Sequence, residues 1–199
     1  MNQITLNDKQ FQFNETFLPC LVTGADKSWA SYLSVCLISN LIQQGTKIIF
    51  FTAFPMAKEE LLNQIWDDKT FEVTDNSDIE NIPDNKSIII QSGNKDLWQK
   101  VIQNIINIQD YVIFVKNIEE YDRSIPETIG ENQNIILSGN IDACSFQKEI
   151  AKKKWKSKII FTAPKIDLDV TIPSLEKYES YFVNENLKWI LKIKKTNIR

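Results

Sequence analysis

Six short runs rich in β-branched and apolar residues, separated by longer amphipathic stretches, constrain the fold of this chain more than any other feature. The runs are Leu18 to Thr23, Lys47 to Thr52, Ser87 to Gln91, Tyr111 to Val115, Asn134 to Leu137 and Lys158 to Thr162. Each is four to six residues long and most are bounded by turn residues, the pattern of strands buried on both faces of a parallel sheet. The intervening stretches have helical spacing. Trp29 to Gln43 carries Leu33, Leu37, Ile38 and Leu41 on one stripe and stops at Gly45, where a C-terminal cap is expected. Met56 to Trp66 after Pro55, Asp96 to Ile108 and Phe146 to Trp155 are the other predicted helices. Strand and helix in alternation form crossovers that cover both faces of a sheet. The predicted fold class is therefore α/β, a mainly parallel sheet flanked by helices. Glu179 to Val183, a turn at Asn184-Glu185-Asn186 and Leu187 to Lys194 predict an antiparallel hairpin at the sheet edge. Ile4 to Phe13 reads as a second short hairpin, and the polar segment Thr74 to Asn85 as a surface loop.

With 199 residues, 43% hydrophobic, the chain suits one domain spanning 1–199 rather than two. Five Gly, six Pro and a mean hydropathy of −0.26 exclude collagen-like and disordered classes. No apolar run reaches 18 residues, so no membrane insertion is expected, and the first residues lack a signal-peptide pattern, which predicts a cytoplasmic protein. Cys20, Cys36 and Cys144 lie far apart among apolar neighbours and read as reduced core thiols. The chain has no histidine, which removes Ser-His-Asp and Cys-His hydrolysis and most zinc chemistry. Charge is uneven: residues 1–147 hold 10 Lys+Arg against 20 Asp+Glu, and 148–199 hold 13 against 6. Such bipolarity suits a head-to-tail assembly or a nucleic-acid contact on the basic end.

In a doubly wound sheet, phosphate is held at the first strand-to-helix turn. Here that turn is Thr23-Gly24-Ala25-Asp26-Lys27-Ser28-Trp29-Ala30-Ser31. Together with the following helix, Gly45 and the strand Lys47 to Thr52, it resembles the opening of RecA-like P-loop NTPases, in which a strand enters G-x-x-x-x-G-K-[ST]. The resemblance extends over roughly 160 residues as an order of elements. Tyr111 to Val115 stands like the Walker B strand and Asn134 to Asn140 like the sensor strand after it. On the P-loop pattern Gly24 matches the first glycine and Ser31 the final Ser/Thr. Trp29 replaces the second glycine, Ala30 the lysine, and Lys116 the aspartate that ends the Walker B strand. The resemblance with these replacements implies a catalytically inactive interaction module, not an enzyme, with no cofactor expected although ATP or ADP is possible. Lys27 or Lys116, with Ser28, Ser31 and helix N–H groups, would supply any phosphate contact. Glu119 and Glu120 are displaced candidates for a water-activating carboxylate. Assembly with itself or with an active ATPase, in a DNA-processing machine, is the implied role.

Two alternatives stand beside it. Lys148 to Lys158 holds six lysines around Trp155, and Lys152, Lys153, Lys154 and Lys156 are the candidate nucleic-acid contacts, reading charge rather than sequence because arginine is nearly absent. In that segment Lys152, Lys153 and Lys156 are equally read as the wet face of a helix with Trp155 on the sheet. The remaining alternative is a divergent nucleotide-binding ATPase that uses Lys27 or Lys116.

Overall fold

The apolar runs form the middle of one eleven-stranded sheet in the computed structural model, which describes residues 3–6, 9–25, 30–52, 70–91, 95–104, 110–121, 133–176 and 179–194. In chain order the strands are β1 (Gln3–Leu6), β2 (Lys9–Gln10), β3 (Cys20–Thr23), β4 (Lys47–Thr52), β5 (Thr70–Val73), β6 (Ser87–Gln91), β7 (Tyr111–Lys116), β8 (Ile135–Gly139), β9 (Ser157–Ile160), β10 (Glu179–Asn184) and β11 (Lys188–Lys194). The described helices are α1 (Ala30–Gln43), α2 (Asn76–Ile79), α3 (Lys95–Asn104) and α4 (Gln147–Lys152). Strand order across the sheet is β2-β1-β11-β10-β9-β3-β8-β7-β4-β6-β5. From β9 to β5 every pairing is parallel, and β10, β11, β1 and β2 add an antiparallel wing. The predicted fold class and both hairpins are thus present.

Several boundaries differ from the sequence reading for local reasons. β3 starts at Cys20 because Pro19 has no N–H to give a ladder. α1 ends where predicted: Gly45, at φ +88, donates to Ile42 O, and Thr46 donates to Leu41 O, the paired bonds of a Schellman cap. The Thr74 to Asn85 segment stays at the surface but holds α2, capped by Asp75 and Asp78. Strand β5, Thr-Phe-Glu-Val, escaped the sequence reading because it is a four-residue, half-polar edge strand. α4 is shorter than predicted, since Lys153 turns to extended backbone, and so Lys153 to Lys156 form a loop rather than a helical face. The predicted helix Met56 to Trp66 lies outside the described residues.

The core has two layers, one on each face of the sheet. Leu33, Leu37, Ile38 and Leu41 of α1 pack on Phe50, Phe114, Ile136 and Ile159 of the strands. On the other face Leu97 and Val101 of α3 and Ile150 of α4 meet Ile49, Ile113, Val115, Ile135 and Leu137. Alternate residues along each strand therefore feed opposite layers, which is why these runs are apolar throughout. The helix after β3 crosses one face toward β4, while α4 leads from β8 over the other face to β9. β3 is thereby the strand at which the winding reverses, and the crevice beyond its carboxyl end is where such sheets bind ligands. Among the described residues no helix is long and apolar enough to cross a membrane.

Candidate functional site

Four parallel strands end in polar groups around that crevice. Thr23, Thr52, Lys116 and Ser138 close β3, β4, β7 and the body of β8, and each is at most 4% exposed. Burying four polar side chains at the same edge of an otherwise apolar sheet is costly unless they are partnered or meet a ligand. Ser138 Oγ lies 2.6 Å from Ser34 Oγ of α1. Lys116 is level with Ser138 in the β7–β8 register, so both side chains stand on the α1 side of the sheet. Thr52 follows Phe50 by two residues and occupies the same side, Phe50 being in register with Phe114. A hydroxyl–lysine–hydroxyl row thus lies on the α1 side of the sheet at its carboxyl edge.

The loop leaving β3 is held to β8. Gly24 is buried and its N–H reaches Gly139 O at 3.4 Å, while Thr23 Oγ1 accepts from Ile141 N at 3.4 Å. Thr23 O accepts from Phe161 N at 2.9 Å, tying the loop to the chain that leaves β9. Gly24 is therefore fixed from both sides at the mouth of the crevice. Lys27, Ser28 and Trp29 lie outside the described residues. Ala30 and Ser31 open α1, and Ser31 is placed only through its backbone.

Beyond β7 the chain turns through Asn117, at φ 59, into a 3-10 turn over Ile118–Glu120. Asparagine tolerates this left-handed position better than most residues. Glu119 Oε2 accepts from Asn140 N at 2.9 Å, so Glu119 is brought to the end of β8, whereas Glu120 is exposed. The face that Glu119 occupies follows from Gly139. This glycine comes after Ser138, which points to α1, and a Cβ on it would run into the Glu119 carboxylate and lie 2.8 Å from Ile118 N. Ile118 itself belongs to the core layer away from α1, and Cys144 Sγ donates to its carbonyl at 3.6 Å. The carboxylate that sequence reading paired with the Walker B strand is consequently across the sheet from α1.

The lysine-rich segment lies at the opposite edge. Lys152, Lys154 and Lys156 are exposed around the α4–β9 connection, which enters β9 at its amino end. Lys156 N donates to Pro19 O, just before β3 begins. Lys154 faces Glu185 of the β10–β11 turn at 4.0 Å. Lys153 covers the Trp155 ring at 5.6 Å, and partial burial there holds its ammonium below the usual lysine range. Trp155 is buried and donates to Ile150 O at 2.8 Å. Trp155 lies in the core as expected, whereas the helical face drawn for Lys153 and Lys156 is corrected, since both follow the end of α4.

Of the residues singled out in the sequence, Gly24 and Lys116 lie at the carboxyl edge of the sheet, where Ser34, Ser138, Thr52 and Gly139 were not singled out. A signal existed for Ser34. It falls on the α1 stripe with Leu37, Ile38 and Leu41, and a polar residue on a buried stripe requires a buried partner.

No protein-family model and no curated protein matches the chain, and the likeness to known proteins lies in its fold. The genome packaging NTPase B204 from Sulfolobus turreted icosahedral virus 2, solved in complex with sulfate, superposes with a TM-score of 0.60 at 17% identity, covering 90% of this chain and 96% of that one. Further structures of B204 hold ATP-gammaS and AMPPCP, each with a TM-score of 0.60 at 16% identity over 90% of this chain. B204 has also been solved with AMP. EssC (ATPases 2 and 3) from Geobacillus thermodenitrificans gives a TM-score of 0.52 at 12% identity, and the match spans 87% of this chain but 36% of that one. Two expectations are corrected by these neighbours: that the chain is not an enzyme, and that no nucleotide cofactor is expected. The proteins that share its fold include an NTPase captured with several nucleotides, so the loss of motif residues at Ala30 and Lys116 does not by itself set nucleotide aside. The arrangement of strands and crossovers is thus a fold shared with these solved NTPase structures.

Proposed function

We propose that the chain is a divergent nucleotide-binding ATPase of RecA-like fold, in which Lys116 supplies from β7 the positive charge that Ala30 does not supply from the loop. The observation that carries this reading is the near-complete burial of Lys116, 4% exposed, on the α1 side at the carboxyl edge. A lysine is rarely buried so fully unless its charge is used or paired, and the ends of α1 and β3 form the place where the fold receives phosphate. Gly24, Lys27, Ser28 and Ser31 complete the proposed cradle, Lys27 adding a second cation from within the loop. B204, with nucleotides bound in the same fold, supports the assignment of ligand class. The test is calorimetric titration with ATP and ADP alongside a steady-state phosphate-release assay. Turnover is expected to disappear in Lys116→Ala and to rise in Ala30→Lys; a chain that neither binds nor hydrolyses ATP at millimolar concentration refutes the reading.

A second reading concerns the amino edge. Lys152, Lys154 and Lys156 project from the side of the sheet opposite the crevice, with Lys153 beside them, so a polyanion is able to dock there without blocking nucleotide. Contact with nucleic acid through these lysines is electrostatic, and its affinity falls steeply with salt. Association with further copies or with another protein of the fold belongs to the same proposal, and sedimentation velocity with and without nucleotide tests it. Unchanged DNA and RNA affinity on replacing Lys152, Lys153 and Lys154 by Glu removes the nucleic-acid role.

A further inference from the structure

The strands of the antiparallel wing send alternate side chains to opposite faces of the sheet. Trp189 and Leu191 of β11 pack on the α1 side, so Lys188, Ile190 and Lys192 stand on the other, spaced along about 14 Å of strand. All three are exposed, and Ile190, at 36%, is the exposed large hydrophobic residue among those described. An apolar side chain in line between two ammonium groups suits a protein surface with an apolar centre and an acidic rim. It suits a nucleic-acid strand less well, because Glu179 lies 3.1 Å from Lys192 and Glu185 lies 4.0 Å from Lys154, and carboxylates among the lysines repel phosphate.

The far end of the same sheet carries the complement. Residues 70–85, from β5 through α2 toward β6, hold five Asp and Glu and no Lys or Arg. Within them Glu80, Ile82 and Asp84 repeat the sequence spacing of Lys188, Ile190 and Lys192 with the charges reversed. Glu80 and Asp84 are exposed, and Ile82 and Pro83 are half-buried between them. The segment is braced, since Asn81 N donates to Asp78 O, Lys86 N to Pro83 O and Lys47 Nζ to Asp84 O. Lys86, and Lys100 on Asn76 Oδ1, offset part of the acidic charge. We propose that the Glu80–Asp84 segment of one copy docks on the Lys188–Lys192 face of the next, with Ile82 and Pro83 against Ile190 and the two carboxylates against the two ammonium groups. This rests on the reading that copies of the chain associate. Lys192 keeps donors for a second carboxylate, its side chain being 62% exposed beside Glu179. The two patches are different surfaces at opposite ends of the strand order, so each docking leaves one of each kind open and copies add head to tail.

The test is sedimentation velocity of the full chain, freed of nucleic acid, over a concentration series. The wild type is expected to associate as concentration rises. Lys188→Glu and, separately, Glu80→Lys/Asp84→Lys are each expected to weaken that association at least about tenfold, by setting like charges face to face. Mixed in equal amounts, the two variants are expected to regain association through the intact acidic segment of the first and the intact basic face of the second. Ile190→Ser is expected to weaken it about tenfold as well, by removing the apolar centre. Urea midpoints verify that the variants are folded; should a charge variant fail to fold, Ile190→Ser, changed at an exposed position, decides. A wild type that stays monomeric at every concentration overturns the inference together with the reading that copies associate. Wild-type association that the folded variants retain overturns these surfaces and leaves that reading intact. A mixture of folded variants that stays dissociated overturns the pairing of the two patches. Association that requires added nucleic acid assigns the basic face to a polyanion and overturns the inference.

Discussion

Replacing Gly139 by alanine probes the joint between β8 and the turn after β7, because three separate penalties converge there. The backbone has φ +156, a region that side-chain-bearing residues rarely adopt and that costs them about 1–3 kcal/mol. An added Cβ would lie 2.8 Å from Ile118 N and 2.9 Å from Ile118 Cγ1, and it would overlap the Glu119 carboxylate. The carboxylate can swing away, losing its 2.9 Å bond from Asn140 N, but the Ile118 backbone is held by a buried side chain and yields less. Overpacking of that kind costs about 1–3 kcal/mol. Against these stands the reduced entropy of the unfolded chain, worth about 0.4–1 kcal/mol to alanine. The penalties win, with a net loss of roughly 2–4 kcal/mol. In urea, with a slope of about 2 kcal/mol/M, the midpoint should fall by about 1–2 M at unchanged slope. Repeating the change in a Glu119→Ala background removes only the carboxylate overlap, so the loss should shrink by about 1 kcal/mol, as expected for residues in contact. A Gly139→Ala midpoint within about 0.2 M of wild type, below the ordinary scatter of surface substitutions, refutes the account of this joint.

Other parts of the fold give independent expectations. Ser34→Ala deprives the buried Ser138 hydroxyl of its 2.6 Å neighbour and should cost about 1–3 kcal/mol, much of it recovered in the Ser34→Ala/Ser138→Ala pair; urea midpoints of the three variants check this. Phe182 is fully buried between Phe11, Phe17 and Trp189, with ring centroids 5.3, 5.3 and 5.9 Å away, so Phe182→Ala should lose about 3–5 kcal/mol; an unchanged thermal midpoint contradicts a packed antiparallel wing. Burial pushes the Cys20 thiol up to about 12 and Cys144 to about 11, so neither forms thiolate at neutral pH, and a thiol-reactive dye should label them only after denaturation. The Glu179 carboxylate is held below its usual range by the N–H of Glu176 and then by Lys192 at 3.1 Å. Its stabilisation is complete above the unfolded glutamate value, about 4.3, and is lost as pH falls through the lowered folded value. Glu179→Gln should accordingly narrow the gap from wild type in urea midpoint as pH is taken from neutral to 3 or so, and a gap independent of pH defeats that assignment.

The central strands were legible in the sequence because burial on both faces leaves a continuous apolar run, and Lys47–Thr52 and Ser87–Gln91 match residue for residue. The antiparallel wing was legible for a different reason: Asn184-Glu185-Asn186 separates two β-rich runs, and Asn184 Oδ1 accepts from both Asn186 N and Leu187 N in the turn it forms. β5 was not, since an edge strand has one neighbour and needs no apolar run. α4 was overextended because Trp155 continues the helical spacing of its apolar residues, yet it reaches the core from the loop, its indole N–H closing on Ile150 O. Spacing reports which residues are buried, and here it could not report that the backbone had already left the helix.

The site was legible as a place but not as a balance of charge. Gly24 and Lys116 are far apart in sequence, and only the insertion of β8 between β3 and β7 sets them along one edge. Read as isolated motif failures, Ala30 and Lys116 each subtract something: a lysine from the loop and an acid from the strand. Placed in the fold, they are related. Lys116 stands on the same side of the sheet as the helix that Ala30 begins. Glu119, the nearest acid after the strand, is held on the other face against a glycine that admits no side chain. Lys116 is 4% exposed at that edge, and a buried ammonium is held only where its charge meets a partner. Substituting Lys116 by Met tests the proposed nucleotide role: the folded chain is expected to lose affinity for ATP, read by calorimetry beside its urea midpoint. Lost stability with no change in ATP affinity means that the charge serves only the fold, and a loss of both means that it also anchors the structure around the site.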